Sequence, residues 1–487
     1  MDSKKVKKEL DAIIGQLKEY AEPLRPFFEH EVTLKEYPKQ LHDFDVRPEH
    51  KKRQALITDL IQKKFQNLFG RRAETELHIN VDTKLAFNIA DHHQVLNHPV
   101  LLSANYVSSA HKFLQLEKQD AVIVISSGDV PPNNFFSKNG FQFHGKRVPI
   151  FSNSEREYTS YYIPKRDFDF VGRLKRADRW ELFSQDEKSF LAQEQERIQS
   201  YDYSKCADYN DQITVIVRET WPRIFEERIR ATMPELLYMT QEELVTQCLI
   251  TLLKGDSIIS QCLFDKKFRD VVLEKFRGIV VTWNEEESKG THFFWRKYPD
   301  QSRSLRMYIQ GNRLVPDDVR FADLAVSIDR DTIIHMLEKR EIYPSLFMIF
   351  SVLNFYAGVK PLVGYGSLTY LAFMKDAWMA TLDVVGNTAE RELASAVETD
   401  GFVAGLALFF KKVGEKIQTL YAYDCVCDGG VTQRYLEKIS ANPFGDILSV
   451  SAPDLYAYYS QKYVPKKEKI KVSITTDEAA SVLLPWL

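Results

Sequence analysis

The sequence predicts an α/β fold built on a parallel sheet, and three observations predict it. Residues 78–90 alternate in polarity and end in an apolar run, as a strand does. Pro99 opens a stretch in which Leu102, Tyr106, Ala110 and Phe113 recur at helical spacing. Residues 121–125 (AVIVI) form a short β-branched run of the kind buried inside a parallel sheet. Strand, helix and buried strand in that order make a βαβ unit, whose crossover requires the two strands to run parallel.

The other elements follow in order. Residues 4–20 place Val6, Leu10, Ile13, Ile14 and Leu17 on one side of a helix and lysines on the other. Pro23 and Pro26 end it, and a second helical pattern over 51–68 stops at Gly70, so residues 1–77 read as a helical N-terminal arm. The core runs over 78–380. Within it, residues 180–260 read as a charged helical insertion, with Thr240 capping a helix ahead of Glu242 and Glu243. Residues 290–314 alternate around a turn as a β-hairpin or small meander, and Phe293 to Arg296 read as strand core. Residues 343–356 are apolar, yet shorter than the roughly 20 residues of a membrane span, so they read as a buried helix. Residues 381–487 read as a mainly helical C-terminal region with a basic link at 465–471.

Composition narrows the class. In 487 residues, hydrophobic side chains are 44% and charged ones 27%, which excludes disordered, collagenous and disulfide-stapled chains. Lys plus Arg is 65 against Asp plus Glu 68, so bulk charge offers no attraction to nucleic acid or an anionic membrane, and neither is expected as a partner. Five cysteines and an N-terminus without an apolar run are expected of a reduced, cytoplasmic chain. Cys425 and Cys427 lack the second ligand pair of a structural zinc, and no metal site is expected.

Candidate chemistry concentrates in three loops. Asp91, His92, His93, Asn97 and His98 lie between the first strand and its helix, where ligands bind beyond the carboxyl ends of strands and a helix N-terminus attracts anions. Imidazoles there act in nucleotidyl-transferring enzymes, where they stabilise charge on phosphate oxygens. His92, His93 and His98 are the expected catalytic residues. Ser127, Gly128, Asp129, Asn133 and Asn134 form the loop after the second strand, expected at the same sheet edge. Gly364, Gly366 and Ser367 precede a helix, where glycine lets the backbone approach a ligand closely.

Taken together these segments resemble the cysteine-adding ligase family of bacillithiol biosynthesis. In that family a strand runs into a G-Q-Q-x-G-L-x-x-G-P-L-Y loop and helix; Ala90 to Leu101 here is similar in length, with Pro99 near the family's proline. Residues 290–295, Arg306, residues 343–345 and residues 364–371 resemble later segments of the family, so that the likeness is scattered over 90–375. The Gln-Gln pair is replaced by His92-His93, and the family's acidic segment after the second strand by Ser127 to Val130. The resemblance implies a nucleotidyl-transferase-like Rossmann core with helical additions, usually in a homodimer, and does not carry over the substrate. The three loops suggest the expected activity, a nucleotide-dependent ligase with ATP and Mg as cofactor, joining a small carboxylate to an amine or a thiol-containing amino acid. Two alternatives stay open. One is a non-catalytic, protein-binding α/β scaffold. The other is a DHH-type metal-dependent phosphoesterase using Asp91-His92-His93, which requires carboxylates converging on His92 or His93.

Overall fold

The computed structural model describes residues 3–70, 84–113, 121–299 and 302–487. Its centre is a parallel sheet of five strands: β1 (Ala86–Asn88), β2 (Val122–Ser126), β3 (Leu236–Thr240), β4 (Lys360–Gly364) and β5 (Gly401–Ala404). Their spatial order is β3-β2-β1-β4-β5, and every pair is parallel. Asn88 lies opposite Val124 and Leu362, and Val122 to Ser126 pair in step with Leu236 to Thr240. All five residues of β2 are buried, which is why that run shows no alternation. The chain starts in the middle of the sheet, steps outward to β2 and β3, then returns to build β4 and β5 on the other side of β1. This order is compatible with a Rossmann-like core, and its reversal falls between β1 and β4.

Helices close over the sheet and reach beyond it. α1 (Ser3–Tyr20) buries Val6, Leu10, Ile13 and Leu17. α2 (Pro48–Phe69) ends at Gly70, whose φ of 67° suits a residue without a side chain and whose N–H donates to the Gln66 carbonyl. α3 (Pro99–Phe113) follows β1 and packs against β1, β2 and β5. α4 (Gln185–Ser200) and α5 (Tyr209–Thr220) precede β3, and α5 lies along that strand. α6 (Gln241–Leu252) leaves β3, and α7 (Tyr365–Val385) leaves β4. Later helices include α8 (Ala422–Cys427), α9 (Gln433–Ser440), α10 (Ala452–Lys462) and α11 (Thr476–Leu483). Among the described residues no helix is long and apolar enough to cross a membrane.

Two regions differ from their sequence reading. The stretch 180–260, expected to be helical throughout, carries the sheet strand β3; the region after 381, expected to be mainly helical, carries β5 and an antiparallel hairpin of Phe410–Val413 with Lys416–Thr419. Both sheet strands are fully buried and four or five residues long. Such a run has no polar face to show period two, so its pattern cannot be told from a turn of buried helix. The expected strand over 78–90 is observed as Ala86–Asn88, and residues 78–83 lie outside the described residues. The 290–314 region is a meander, with Met307–Gln310 paired to Arg313–Pro316 and Phe294–Lys297 paired to Ser304–Leu305. Residues 343–356 are buried, but as the end of a strand, a helix over Leu346–Phe350 and a π-helical turn over Ser351–Tyr356.

Candidate functional site

The loops singled out in the sequence leave the carboxyl ends of β1, β2 and β4, so they share one edge of the sheet. The first two are stitched together beyond their strands. Ser127 donates to the Asp91 carbonyl at 2.9 Å, and His93 donates back to the Ser127 carbonyl at 2.8 Å. The third meets the first at the strand reversal, where a methyl built on Gly364 would lie 3.6 Å from the β-carbons of Ala90 and Ala404.

The histidine loop is folded inward. His93 Nε2 lies 2.8 Å from the Asn210 carbonyl, which can only accept, so that nitrogen carries the proton; Nδ1, 2.8 Å from Ser126 Oγ, is left to accept from the hydroxyl. Burial lowers this imidazole to about 4, against an upward pull from Asp208 and Asp211, so His93 is a neutral strut with both nitrogens taken. His98 caps α3. Its Nδ1 accepts from Val100 N–H at 3.3 Å and its carbonyl accepts from Leu101 and Leu102. Pro99 has no N–H, so the first turn of α3 has no amide left for an anion. Asp91 is consumed in the same way: Oδ1 accepts from His92 N–H at 2.7 Å, and Oδ2 accepts from Asn105 Nδ2 at 2.8 Å and from the Tyr238 hydroxyl. Burial raises its carboxyl to about 6, opposed by those hydrogen bonds.

Over this loop lies Phe136, with its ring centroid 5.2 Å from that of His92 and 5.0 Å from that of His98. Asn97 fixes it there by donating to the Phe136 carbonyl at 2.8 Å while accepting from Gln142 N–H at 2.9 Å. His92 Nδ1 is buried without a hydrogen-bond partner. The space left among Asp91, His92, His98 and Phe136 is about 10 Å³, room for about one water.

The β2 loop carries a pair of carboxyl groups. Glu242, in the first turn of α6, is fully buried, and its Oε2 and Oε1 accept from Gly128 N–H at 2.8 Å and Asp129 N–H at 3.1 Å. Asp129 is half-buried and accepts from Ser127 Oγ at 2.7 Å. Burial, then repulsion from Asp129, raises Glu242 to about 8, and burial raises Asp129 above the usual carboxylate range. Only glycine fits at 128, where a methyl would sit 2.8 Å from Glu242 Oε2 and 2.9 Å from Thr240 Cγ2. Farther along, Asn134 is spent on its own turn, accepting from the N–H groups of Phe136 and Ser137 and donating to the Pro131 carbonyl at 2.8 Å. Asn133 is exposed.

The β4 turn is built differently. Gly364 is the N-cap of α7, and no side chain accepts from the first amides of this 21-residue helix. Ser367 Oγ lies 2.7 Å from the Tyr370 hydroxyl, and a methyl on Gly366 would lie 3.4 Å from the Tyr458 hydroxyl. Burial raises the Tyr370 phenol, opposed by its hydrogen bond with Ser367. Open amides at a helix start suit a phosphate, and a single half-buried carboxylate suits a Mg ion carried in on one. Among the described residues no three His, Cys, Asp or Glu side chains gather closely enough to hold a metal ion by themselves.

Sequence reasoning did not single out Glu242, Tyr238, Asn105 or Phe136. Glu242 is visible only as a first-turn helix residue until β3 is recognised as a strand ending at the same edge. No protein-family profile and no curated protein sequence matches the chain, so its function is argued from this geometry.

Proposed function

We propose that this chain is a nucleotide-dependent enzyme of ligase or nucleotidyl-transferase type, joining a small carboxylate to an amine or a thiol-containing amino acid. One observation carries the reading: the uncapped start of α7 lies at the reversal between β1 and β4, where open α/β sheets bind ligands. ATP with Mg would supply the driving force for the condensation. The amides of residues 365–367 would hold phosphate oxygens, with the helix dipole favouring their charge. Ser367 and Tyr370 add hydroxyl groups beside them, and Asp129 would take one position on the Mg ion. The Asp129 carboxylate, raised by burial beside Glu242, can also accept a proton from an incoming ammonium group. Ser127 orients Asp129 for either task. The histidine loop supports this edge, and His92 Nδ1 is buried in it without a hydrogen-bond partner.

The test is calorimetric titration of ATP, ADP, AMP and CTP, with and without Mg, into the wild-type chain and Ser367→Asp. An aspartate in the first turn suits the helix dipole and keeps an acceptor for Tyr370, so the variant is expected to melt no lower than the wild type. It is also expected to repel phosphate. Binding to the wild type and loss in Ser367→Asp is the expected result. Binding that survives the substitution moves the phosphate elsewhere, and no binding by any nucleotide overturns the reading.

A further inference from the structure

A cavity of about 230 Å³ opens between the Phe410–Val413 hairpin strand, α8 and the start of α9. None of its lining residues belongs to the loops at the sheet edge. Its floor is apolar: Phe409, Phe410, Leu420, Cys425 and Val431 are all buried. Tyr435 adds an apolar ring, because its hydroxyl is occupied, donating to the Leu408 carbonyl at 2.8 Å and accepting from Phe410 N–H at 3.0 Å. The mouth is charged. Lys411 Nζ and Asp428 Oδ1 lie 2.6 Å apart there, with side-chain exposures of 47% and 27%.

Size and charge together select a ligand. The cavity exceeds the ~150 Å³ that holds a benzene ring, and falls below the ~300–1,000 Å³ of sites for drug-sized molecules. The floor offers no polar group but a buried thiol, so the body that fills it is hydrocarbon. The mouth offers one cation and one anion side by side, so the head that crosses it carries one of each. We propose that this cavity binds a free apolar α-amino acid, side chain inward, with its α-carboxylate on Lys411 and its α-ammonium on Asp428. A monovalent acid or amine would leave one member of the exposed pair facing its own partner and gain little over water. A zwitterion replaces the ion pair with two, both shielded by the ligand's own hydrocarbon.

The experiment is ligand-observed NMR and calorimetry on the full chain with L-leucine, L-phenylalanine, 3-phenylpropanoate, 2-phenylethylamine and toluene. The variants are Lys411→Met and Asp428→Asn, both at partly exposed positions, with circular dichroism melts to verify that each is folded. Leucine or phenylalanine is expected to bind the wild type, and each variant to weaken it by roughly tenfold to a hundredfold, the worth of one hydrogen-bonded charge. Lys411→Met is expected to leave 2-phenylethylamine binding unchanged or tighter, since Asp428 is then released. Toluene or 3-phenylpropanoate binding as tightly as phenylalanine, amino-acid affinity equal in both variants and the wild type, or no amino-acid binding at all would each overturn the proposal.

Discussion

His93 and Asp91 are two residues apart and respond to acid in opposite senses. The imidazole is ordinarily half-protonated at 6.5 and is held to about 4 by burial in the folded chain. Between those values the unfolded chain binds a proton that the folded one refuses, so this contribution is complete above pH 6.5 and is lost as pH falls toward 4. Its size is about 3 kcal/mol. For Asp91 the ordinary 3.8 rises to about 6, so the folded chain binds the extra proton in that window and stability declines as pH rises through it. The two nearly cancel, while His50 and His92, lowered to about 4, and His98, lowered to about 3, add to the acid sensitivity of the fold. His93→Gln, which cannot titrate and can still donate to Asn210, is expected to reduce the fall in melting temperature between pH 6.5 and 4. An unchanged slope in calorimetric melts would mean that His93 is charged in the fold. At Gly128 the issue is space rather than charge. Gly128→Ala pushes against Glu242 and Thr240, and should cost about 1–3 kcal/mol in chemical denaturation.

At the scale of elements, the acid pair depends on a helix cap. Thr240 ends β3 and caps α6 by accepting from Glu243 N–H at 3.2 Å, and that same first turn carries the Glu242 carboxylate that holds the Gly128 and Asp129 amides. Thr240→Ala is expected to cost about 1 kcal/mol and, more tellingly, to speed hydrogen exchange at 128–129. Exchange that rises in α6 alone would show that the loop stands without the helix. What was legible in the sequence divides along the same line. α1, β2, α3 and the meander each carry a local signal, such as a stripe, a β-branched run, a proline or an alternation. The capping of α3 by His98 is equally local, its partners lying two to four residues away. The fate of His93 is not: its partners, Ser126 and Asn210, are 33 and 117 positions distant and meet only when β2 and α5 are in place. Glu242 was hidden for the same reason, since its two donors are contributed by a loop more than a hundred residues earlier.

Across the whole molecule the two ends of the chain are bound together, and the consequence reaches the proposed phosphate site. α1 lies on α10 and α11, and its Val6, Leu10, Ile13 and Leu17 are buried. Glu9 accepts from Ser473 Oγ at 2.7 Å and Ile474 N–H at 3.2 Å, and Gln16 accepts from the Tyr456 hydroxyl. The other side of α10 leans on the start of α7. The Tyr458 ring lies 4.7 Å from that of Tyr365, and the Tyr459 hydroxyl donates to the Tyr365 carbonyl at 2.6 Å. α10 therefore stands between the N-terminal helix and the open amides of residues 365–367. Ile13→Ala hollows the buried face of α1, which packs on α10, and should cost about 2–5 kcal/mol if global stability is measured. If α10 transmits the loss, hydrogen exchange should quicken at 452–462 and at 365–368 while β2 and β3 stay protected, and any nucleotide bound at α7 should weaken in step. Faster exchange confined to α1 and α11 would mean that α10 is held in place by α7 rather than the reverse. Substitutions at the two helices then separate cause from consequence: Tyr459→Phe removes only the bond to the Tyr365 carbonyl, and should loosen the start of α7 without disturbing α1.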